Sequence, residues 1–266
     1  MLPGILQKAL HWSVFFVWAP FGVLAQADCP VSGAGEPVSV RQVIDGDTLI
    51  LADGRRVRLI GVNTPEIGYR GQADQPHARL ARQRLQQRLS GRAVTLVEGE
   101  QARDRYGRTL AHVLDPSGAL LAEFLIAEGL GYALSVPPNT RLADCLFARE
   151  RDARAASRGL WRGGGVAEIR DLVDGSAGFG VWRGRVSAVG KTARGAYLEI
   201  ENQVFIALDA SVVKRLPEGV LGGYMGRHVE FRGWLSDRQG AGKPLKAGYL
   251  RWFIRVADEH HLRLSE

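Results

Sequence analysis

The sequence of 266 residues predicts a protein of mainly β structure with helices, the α+β class, with two small domains, 28–162 and 179–258. Short apolar runs separated by turn residues predict strands, and the clearest is a hairpin with Asp53-Gly54 at its tip. After the glycine run 163–165 the strand pattern begins again, which indicates a second domain. The apolar residues have helical spacing in three segments, 76–89, 121–128 and 141–158.

The Asp53-Gly54 hairpin fixes which side chains share a face. Thr48–Leu51 is the predicted first strand, and 57–62 is the second. Side chains alternate along a strand, so if Val57 points into the core, Arg58 points towards solvent or a groove. Pro65 then restricts the backbone of 63–66, which holds Asn63, Thr64 and Glu66 in place.

These residues can form a site for a hard cation. The carboxylates of Asp47 and Glu66, the amide oxygen of Asn63 and the backbone carbonyl of Thr64 are all oxygen ligands, which suit Ca²⁺. The absence of His and Cys from this set argues against zinc or copper. Arg58 and Arg108 supply the bidentate donors that suit a phosphate group. The alternative is that these motifs are only turns, a loop and a solvated face.

The motifs IDGDT, RLIGVNTPE (58–66) and DRYGR (104–108) resemble the staphylococcal nuclease family, over residues 38–162. The resemblance implies an OB-type five-stranded barrel with three helices, and calcium-dependent hydrolysis of DNA and RNA. It also implies that Glu66 is the general base, that Arg58 and Arg108 are catalytic, and that Asp47, Asn63, Thr64 and Glu66 hold Ca²⁺. Within the DRYGR motif, Arg105 and Tyr106 are predicted to bind substrate.

The sequence departs from the family pattern at two places. Asn63 stands where the family has an aspartate, which removes one negative charge from the predicted calcium site. The tyrosines that pack on the nucleotide in the family have no match around 135–138.

The third predicted helix, 141–158, has an apolar face and an arginine face. The arginine face is expected to be solvated, with nucleic-acid binding as the alternative, and consists of Arg149, Arg151, Arg154 and Arg158.

The second domain, 179–258, has five predicted strands and a late helix, a pattern that suggests a second OB-like barrel. Its aromatic residues either form stacking platforms for single strands, among arginines 183, 185, 232 and 251, or belong to the core. The aromatic residues concerned are Trp182, Tyr197, Trp234 and Trp252. A linker, 163–178, precedes this domain, and a tail, 259–266, follows it.

Residues 1–27 have the composition of a signal peptide. An apolar run ends in Ala25-Gln26-Ala27, so we expect cleavage after Ala27 and a periplasmic or secreted protein with no membrane attachment. A transmembrane anchor is the alternative. In an oxidising compartment Cys29 and Cys145 are expected to form a disulfide, or else Cys145 is a buried thiol and Cys29 is unpaired.

The charge balance favours a polyanionic partner. The formal net charge is +7, and residues 28–162 contain 19 arginines, no lysine and 16 acidic residues. The leading hypothesis is an exported, monomeric, calcium-dependent nuclease acting on DNA or RNA. A non-catalytic nucleic-acid-binding protein is the alternative, and an extracellular adhesion or polysaccharide-binding module is a third that does not explain the motifs.

Overall fold

The structure is a computed structural model that describes residues 29–68, 71–89, 93–217, 219–239 and 244–265. The predicted signal peptide, 1–27, lies outside the described residues. Within the described ranges, no helix combines the length and the apolar character needed to span a bilayer.

The first domain is a closed barrel with three α-helices, and the predicted fold class is confirmed. Its strands are β1 (Glu36–Val43), β2 (Thr48–Leu51), β3 (Arg56–Leu59), β4 (Val62–Asn63), β5 (Ala93–Arg103), β6 (Thr109–Leu114) and β7 (Tyr132–Ala133). Its helices are α1 (Ala78–Leu89), α2 (Leu121–Ala127) and α3 (Ala143–Ala155). The barrel closes in the order β1-β2-β3-β6-β5, and β3 and β6 are parallel. This is the order of an OB-type barrel.

The predicted strand 57–62 is divided into β3 and β4. Gly61 has a φ of 91°, a value that favours glycine, and the chain turns at Ile60 and Gly61 before β4 pairs with β7. A Cβ on Gly61 would also lie 2.3 Å from Cδ1 of Leu146. The turn therefore directs Asn63 and Thr64 away from the barrel wall and back towards Asp47.

The beginning of the described chain is attached to the helices rather than loose. The structure joins Cys29 to Cys145 on α3 through a disulfide, with their Cα atoms 5.7 Å apart. Cys29 is only 3% exposed, and its backbone N–H donates to Glu123 on α2 at 2.8 Å. The disulfide spans 116 residues, so it ties the segment before β1 to a distant part of the same core.

The second domain repeats the topology of the first. Its strands are β8 (Ala167–Glu168), β9 (Gly178–Thr192), β10 (Gly195–Ile200), β11 (Val204–Asp209), β12 (His228–Asp237), β13 (Trp252–Val256) and β14 (Leu262–Leu264), and its helices are α4 (Ala210–Arg215) and α5 (Val220–Gly223). The ring closes as β9-β10-β11-β13-β12, with β12 pairing with β9 and with β11 parallel to β13. The expectation of a second OB-like barrel is confirmed.

Two segments assigned to a linker and a tail are packed against this barrel. In 163–178, β8 pairs with β9 and Ile169 is fully buried in the second core. After Asp258, a 3₁₀ turn (Glu259–His261) leads into β14, which pairs with β12. Burial of Ile169 and Leu262 gives both segments an apolar attachment that the polar residues around them concealed.

Part of the arginine face of α3 meets the second barrel, whereas Arg151 and Arg158 on that face are exposed. Glu150 on α3 accepts two hydrogen bonds from Arg232 on β12, at 2.7 and 2.6 Å, and both side chains are at least 96% buried. Arg154 donates to Glu230 on β12 at 2.9 Å. Arg232 also donates to the carbonyl oxygen of Ala133 at 2.8 Å. The prediction of a solvated face is therefore wrong for Arg154, whose partners come from another domain.

The stacking platform predicted on the second barrel does not form as a set. Trp182 and Trp252 belong to the core, at 4% and 3% exposure, and Tyr197 stacks on Phe205. Trp234, by contrast, is 52% exposed. The basic residues interleaved with these aromatics are engaged too: Arg183 with Glu168, Arg251 with Asp237, and Arg232 in the domain interface. Only the Trp234 position remains open to a ligand among these four aromatics.

The disulfide generates a stability prediction. Replacing Cys145 by Ser should lower the free energy of unfolding of the first domain by about 2–5 kcal/mol, because the unfolded chain loses a long covalent loop. Chemical denaturation with and without reductant measures this, and reductant should have no further effect on the variant. Mass spectrometry that finds two free thiols in the non-reduced wild-type protein would contradict the prediction.

The buried ion pair generates a second prediction. Arg232→Met should destabilise the protein by about 3–5 kcal/mol, because it leaves the buried Glu150 carboxylate without its main partner. Adding Glu150→Leu to Arg232→Met should recover much of this loss. The matched control is Arg55→Ala, which removes an arginine from solvent-screened pairs with Glu36 and Asp53 and should cost far less stability. Thermal and denaturant melts of the four proteins test it, and equal losses for Arg232→Met and the control would refute it.

Candidate active site

The candidate site lies where β3, the residues after β4 and the turn before β6 meet. Because β3 and β6 are parallel neighbours, Arg58 pairs in register with Leu110, two residues after Arg108. Both arginines line a cavity of about 460 Å³. Residues separated by about fifty positions in the sequence are thus brought to one cavity by the strand order.

Asp47 holds the hairpin and the 63–66 segment together. Its carboxylate is 2% exposed and accepts hydrogen bonds from the backbone N–H and the hydroxyl of Thr64, at 2.7 and 3.0 Å. The same oxygen lies 3.0 Å from Nη1 of Arg58. The backbone carbonyl of Asp47 also accepts the N–H of Leu59 at 2.9 Å. A buried carboxylate with this many donors fixes the position of every group that it touches.

Gly46 is the residue that makes this approach possible. A Cβ on Gly46 would lie 2.7 Å from two side-chain atoms of Thr64 and 2.8 Å from Cβ of Ala81 on α1. Any larger side chain between the two aspartates of the DGD motif would therefore prevent the close approach of Thr64 and Ala81.

Arg58 is more buried than its position on the strand suggests. Val57 and Leu59 point into the core as expected, but the Arg58 side chain is only 10% exposed. Its Nη2 donates to Oδ1 of Asn63 at 2.8 Å, and its Nη1 donates to the carbonyl oxygen of Val62 at 2.8 Å. The guanidinium therefore lines the cavity in a fixed orientation, held by the same residues that were assigned to the cation site.

A third carboxylate, Asp45, belongs to this cluster and was missed by the sequence analysis. Burial, together with the negative charges of Asp47 and Glu66, raises the pKa of Asp45 to about 7. Its Oδ1 accepts the backbone N–H of Asp47 at 3.0 Å. The repeated aspartates of the DGD motif were the signal that could have identified it.

Glu66 sits at the base of a loop and close to the other carboxylates. Its backbone N–H donates to Oε1 of Gln75 at 2.8 Å, and its carbonyl accepts the N–H of Gln75 at 3.0 Å. Glu66 as a whole residue is exposed. Desolvation of its carboxyl by the surrounding protein atoms and the negative charge of Asp47 nevertheless raise the pKa of Glu66, whereas the positive charges of Arg58 and Arg108 lower it. Glu66 thus lies within electrostatic reach of both arginines.

The donor set fits a hard divalent cation. The negative charge of Asp47 raises the pKa of both Asp45 and Glu66, and a cation among these carboxylates would relieve the repulsion. Asn63 and Thr64 add neutral oxygens, which completes the kind of ligand set that Ca²⁺ accepts. The oxygens of the three carboxylates do not all lie within 4.8 Å of one another; among the described residues, the group that meets this limit is Asp258, Glu259 and His260.

The Asp258, Glu259 and His260 group serves the domain interface. His260 contacts Asp258 at 2.7 Å and Asp144 of α3 at 2.9 Å, and these hydrogen bonds raise the pKa of His260 to about 9. A protonated imidazole must lose its proton before it can bind a metal, which disfavours metal binding by this group at neutral pH. Its charge instead pairs the two domains.

The turn before β6 presents Arg108 and Tyr106. Asp104 accepts hydrogen bonds from the backbone N–H groups of Tyr106 and Arg108, both at 2.9 Å, and from Nε of Arg108 at 2.6 Å. Tyr106 is 68% exposed, and the guanidinium of Arg105 lies 4.8 Å from its ring centre. The cavity that Arg58 lines is also lined by all four of these residues, Asp104, Arg105, Tyr106 and Arg108. The turn is therefore rigid at its base and open at its tip.

The first domain is similar in sequence to known proteins. A sequence model described as "Staphylococcal nuclease homologue" matches residues 56–163. The chain is 35% identical over 130 residues to the thermonuclease of Staphylococcus intermedius, covering 48% of this chain and 77% of that protein. It is 34% identical over 135 residues to the thermonuclease of Staphylococcus hyicus, covering 49% and 79% of the two chains.

A third relative, endonuclease YncB of Bacillus subtilis, is 32% identical over 138 residues, which is 50% of this chain and 65% of that protein. The matching segments amount to about half of the chain, and the family match ends at 163, before the second barrel begins. On this identity and coverage, the chain belongs to the staphylococcal nuclease family.

Proposed function

We propose that the protein is an exported, calcium-dependent nuclease that hydrolyses phosphodiester bonds of DNA or RNA. The observation that carries the proposal is that Arg58 and Arg108 line one cavity, and that Arg58 contacts the buried carboxylate of Asp47. The names of the relatives, thermonuclease and endonuclease, support the same activity. The protein acts as a monomer in this proposal.

The side chains divide the chemistry between them. Glu66 takes a proton from the attacking water as the new P–O bond forms; the P–O ester bond breaks, its electron pair goes to the leaving oxygen, and that oxygen takes up a proton from solvent. Arg58 and Arg108 donate hydrogen bonds to the phosphate oxygens, whose negative charge increases in the transition state. Asp47, Asn63, Thr64 and Glu66, with Asp45 nearby, would hold Ca²⁺. The bound cation would add positive charge next to the phosphate.

Arg58 has donors left for this role. A guanidinium has five N–H groups. The carbonyl oxygens of Leu59 and Val62 and the carboxylate of Asp47 occupy Nη1, and the amide oxygen of Asn63 occupies part of Nη2, which leaves donors on Nη2 and Nε. The same internal contacts are the observation that favours the alternative function, a nucleic-acid-binding protein without turnover. In that case Arg58 would be a structural residue and only Arg108 would meet phosphate.

One assay distinguishes the two functions. The mature protein is incubated with single-stranded and double-stranded DNA and RNA, with calcium and with a chelator. The nuclease proposal expects cleavage that depends on the metal. Binding without cleavage in the presence of calcium would support the alternative.

Export is part of the proposal because of the disulfide and the composition of the first 27 residues. The bond between Cys29 and Cys145 suits an oxidising compartment, either the periplasm or the outside of the cell. Sequencing the amino terminus of the protein recovered from culture tests it, and a mature chain that begins at Asp28 is the expected result.

Arg108→Ala should lower kcat by about 10²–10³-fold and change KM far less, because the lost hydrogen bonds matter most in the transition state. The matched control is Arg105→Ala, three residues away in the same turn, which should act mainly on KM. Steady-state kinetics on a short oligonucleotide measures both. A large rise in KM with little change in kcat for Arg108→Ala would make Arg108 a docking residue.

Asn63→Asp should tighten calcium binding in the absence of nucleotide, because it adds a formal negative charge to those of the ligands Asp47 and Glu66. Asn63→Leu should weaken it, because the oxygen is lost. The control is Asn202→Asp, which adds the same charge at an exposed position of the second barrel. Calorimetric titration with calcium measures all three variants, and equal affinities would place Asn63 outside the coordination shell.

A further inference from the structure

The cavity that contains the candidate catalytic arginines is completed by the second barrel. On the side of the first domain it is lined by residues that include Arg58, Tyr106, Arg108, Leu134 and Val136. Trp234 of β12 lines it from the other side, and it is the one residue of the second barrel among the described residues that does so. A volume of about 460 Å³ lies within the range of about 300–1,000 Å³ that is usual for small-ligand sites.

The strand β12 is oriented so that Trp234 must face the first domain. Side chains at alternate positions of a strand share a face. Glu230 and Arg232, four and two residues before Trp234, bind Arg154 and Glu150 of α3. The three residues form one row directed at the first domain, and the row ends at the cavity.

Trp234 is far more exposed than the other tryptophans of the second barrel, and it is exposed within a cavity. It is 52% exposed, whereas the barrel residues Trp182 and Trp252 are 4% and 3% exposed. Leaving a large aromatic side chain open to water sacrifices the free energy of its burial, which makes an exposed aromatic in a cavity a candidate for ligand contact.

The ring of Trp234 is held in place by other aromatic rings. Phe179 of β9 packs against it with ring centres 5.0 Å apart and an angle of 68° between the planes. Phe179 in turn contacts Tyr132 of β7 at 5.5 Å, and Tyr132 meets Trp161 edge-on at 5.4 Å. This row of rings crosses from one domain to the other and supports Trp234 from behind.

The opposite wall of the cavity is also positioned by the second domain. The backbone N–H of Ser135, between Leu134 and Val136, donates to Nε2 of His261 at 3.0 Å. Burial lowers the pKa of His261 to about 4, so its imidazole is neutral and can accept this hydrogen bond. The two domains together therefore fix both an apolar wall and an aromatic wall.

We propose that Trp234 is the base-stacking residue of the active-site cavity, and that the cavity binds one unpaired nucleobase next to the phosphate held by Arg58 and Arg108. Stacking on an aromatic ring requires an open base face, which a base inside a duplex does not offer. The substrate is therefore a single-stranded or locally unpaired nucleic acid. This inference rests on the proposed nuclease function and assigns the second barrel a direct part in it.

The test measures binding separately from cleavage. A fluorescently labelled thymidylate strand of a few nucleotides is titrated with protein in the presence of chelator, and a strand of the same length without bases is titrated in parallel. Trp234→Ala should weaken binding of the thymidylate strand by roughly 5- to 100-fold and leave binding of the abasic strand unchanged. Trp234→Phe should retain most of the affinity because it keeps a ring.

The matched control is Tyr249→Ala, an aromatic residue of the second barrel that is 51% exposed and does not line the cavity. It should bind both strands as the wild-type protein does. Equal weakening of both strands by Trp234→Ala would show a structural role and overturn the inference, as would unchanged binding of the thymidylate strand.

A cleavage assay with calcium separates this inference from the nuclease proposal. If the wild-type protein cleaves nucleic acid but Trp234→Ala binds and cleaves thymidylate normally, the nuclease function stands and the stacking role fails. If the wild-type protein cleaves nothing, the nuclease proposal fails, and a selective loss of thymidylate binding in Trp234→Ala still supports the base site.

Discussion

The buried ion pair between Glu150 and Arg232 determines how the two barrels meet. Burial alone would raise the pKa of Glu150, but Arg232 and Arg154 lower it below the ordinary value, so the carboxylate is charged at neutral pH. Its contribution to stability is present above the ordinary glutamate pKa of 4.5 and is lost as the pH falls through the lower folded value. Desolvating two charges is costly, so the pair is better understood as orienting the domains than as strengthening them.

That orientation has consequences beyond the interface. Arg232 also binds the carbonyl oxygen of Ala133, and Glu150 accepts the N–H of the same residue at 2.7 Å. Ala133 lies on β7, which pairs with β4 beside Asn63. The ion pair, the chain that leads into the cavity wall and the candidate site therefore form one continuous hydrogen-bonded structure. A shift between the barrels would displace both Trp234 and the strand that supports Asn63.

Within the first domain, Asp47 joins the hairpin to the 63–66 segment, as the ion pair joins the two domains. Its carboxylate collects donors from Thr64 and Arg58, and the close approach depends on Gly46. The arginine that would bind phosphate is thus restrained by the oxygens that would bind the cation. The phosphate-binding arginine and the cation ligands are therefore electrostatically coupled, since a change of charge at Asn63 acts on Arg58 as well as on a metal.

The sequence by itself determined the strand and helix pattern, the site motifs and, from five predicted strands, the second barrel, because alternation, hairpin turns and short motifs are local signals. The first barrel followed from the resemblance of those motifs to a known family. Only the tertiary structure showed that Arg58 is buried, that Asp45 joins the carboxylates and that Arg149 and Arg154 are not on a solvated face. These features depend on partners far away in the sequence: Arg154 meets Glu230, 76 residues later. The exposure of Trp234 was equally undetermined, because a strand pattern specifies which residues share a face but not what another domain places opposite that face.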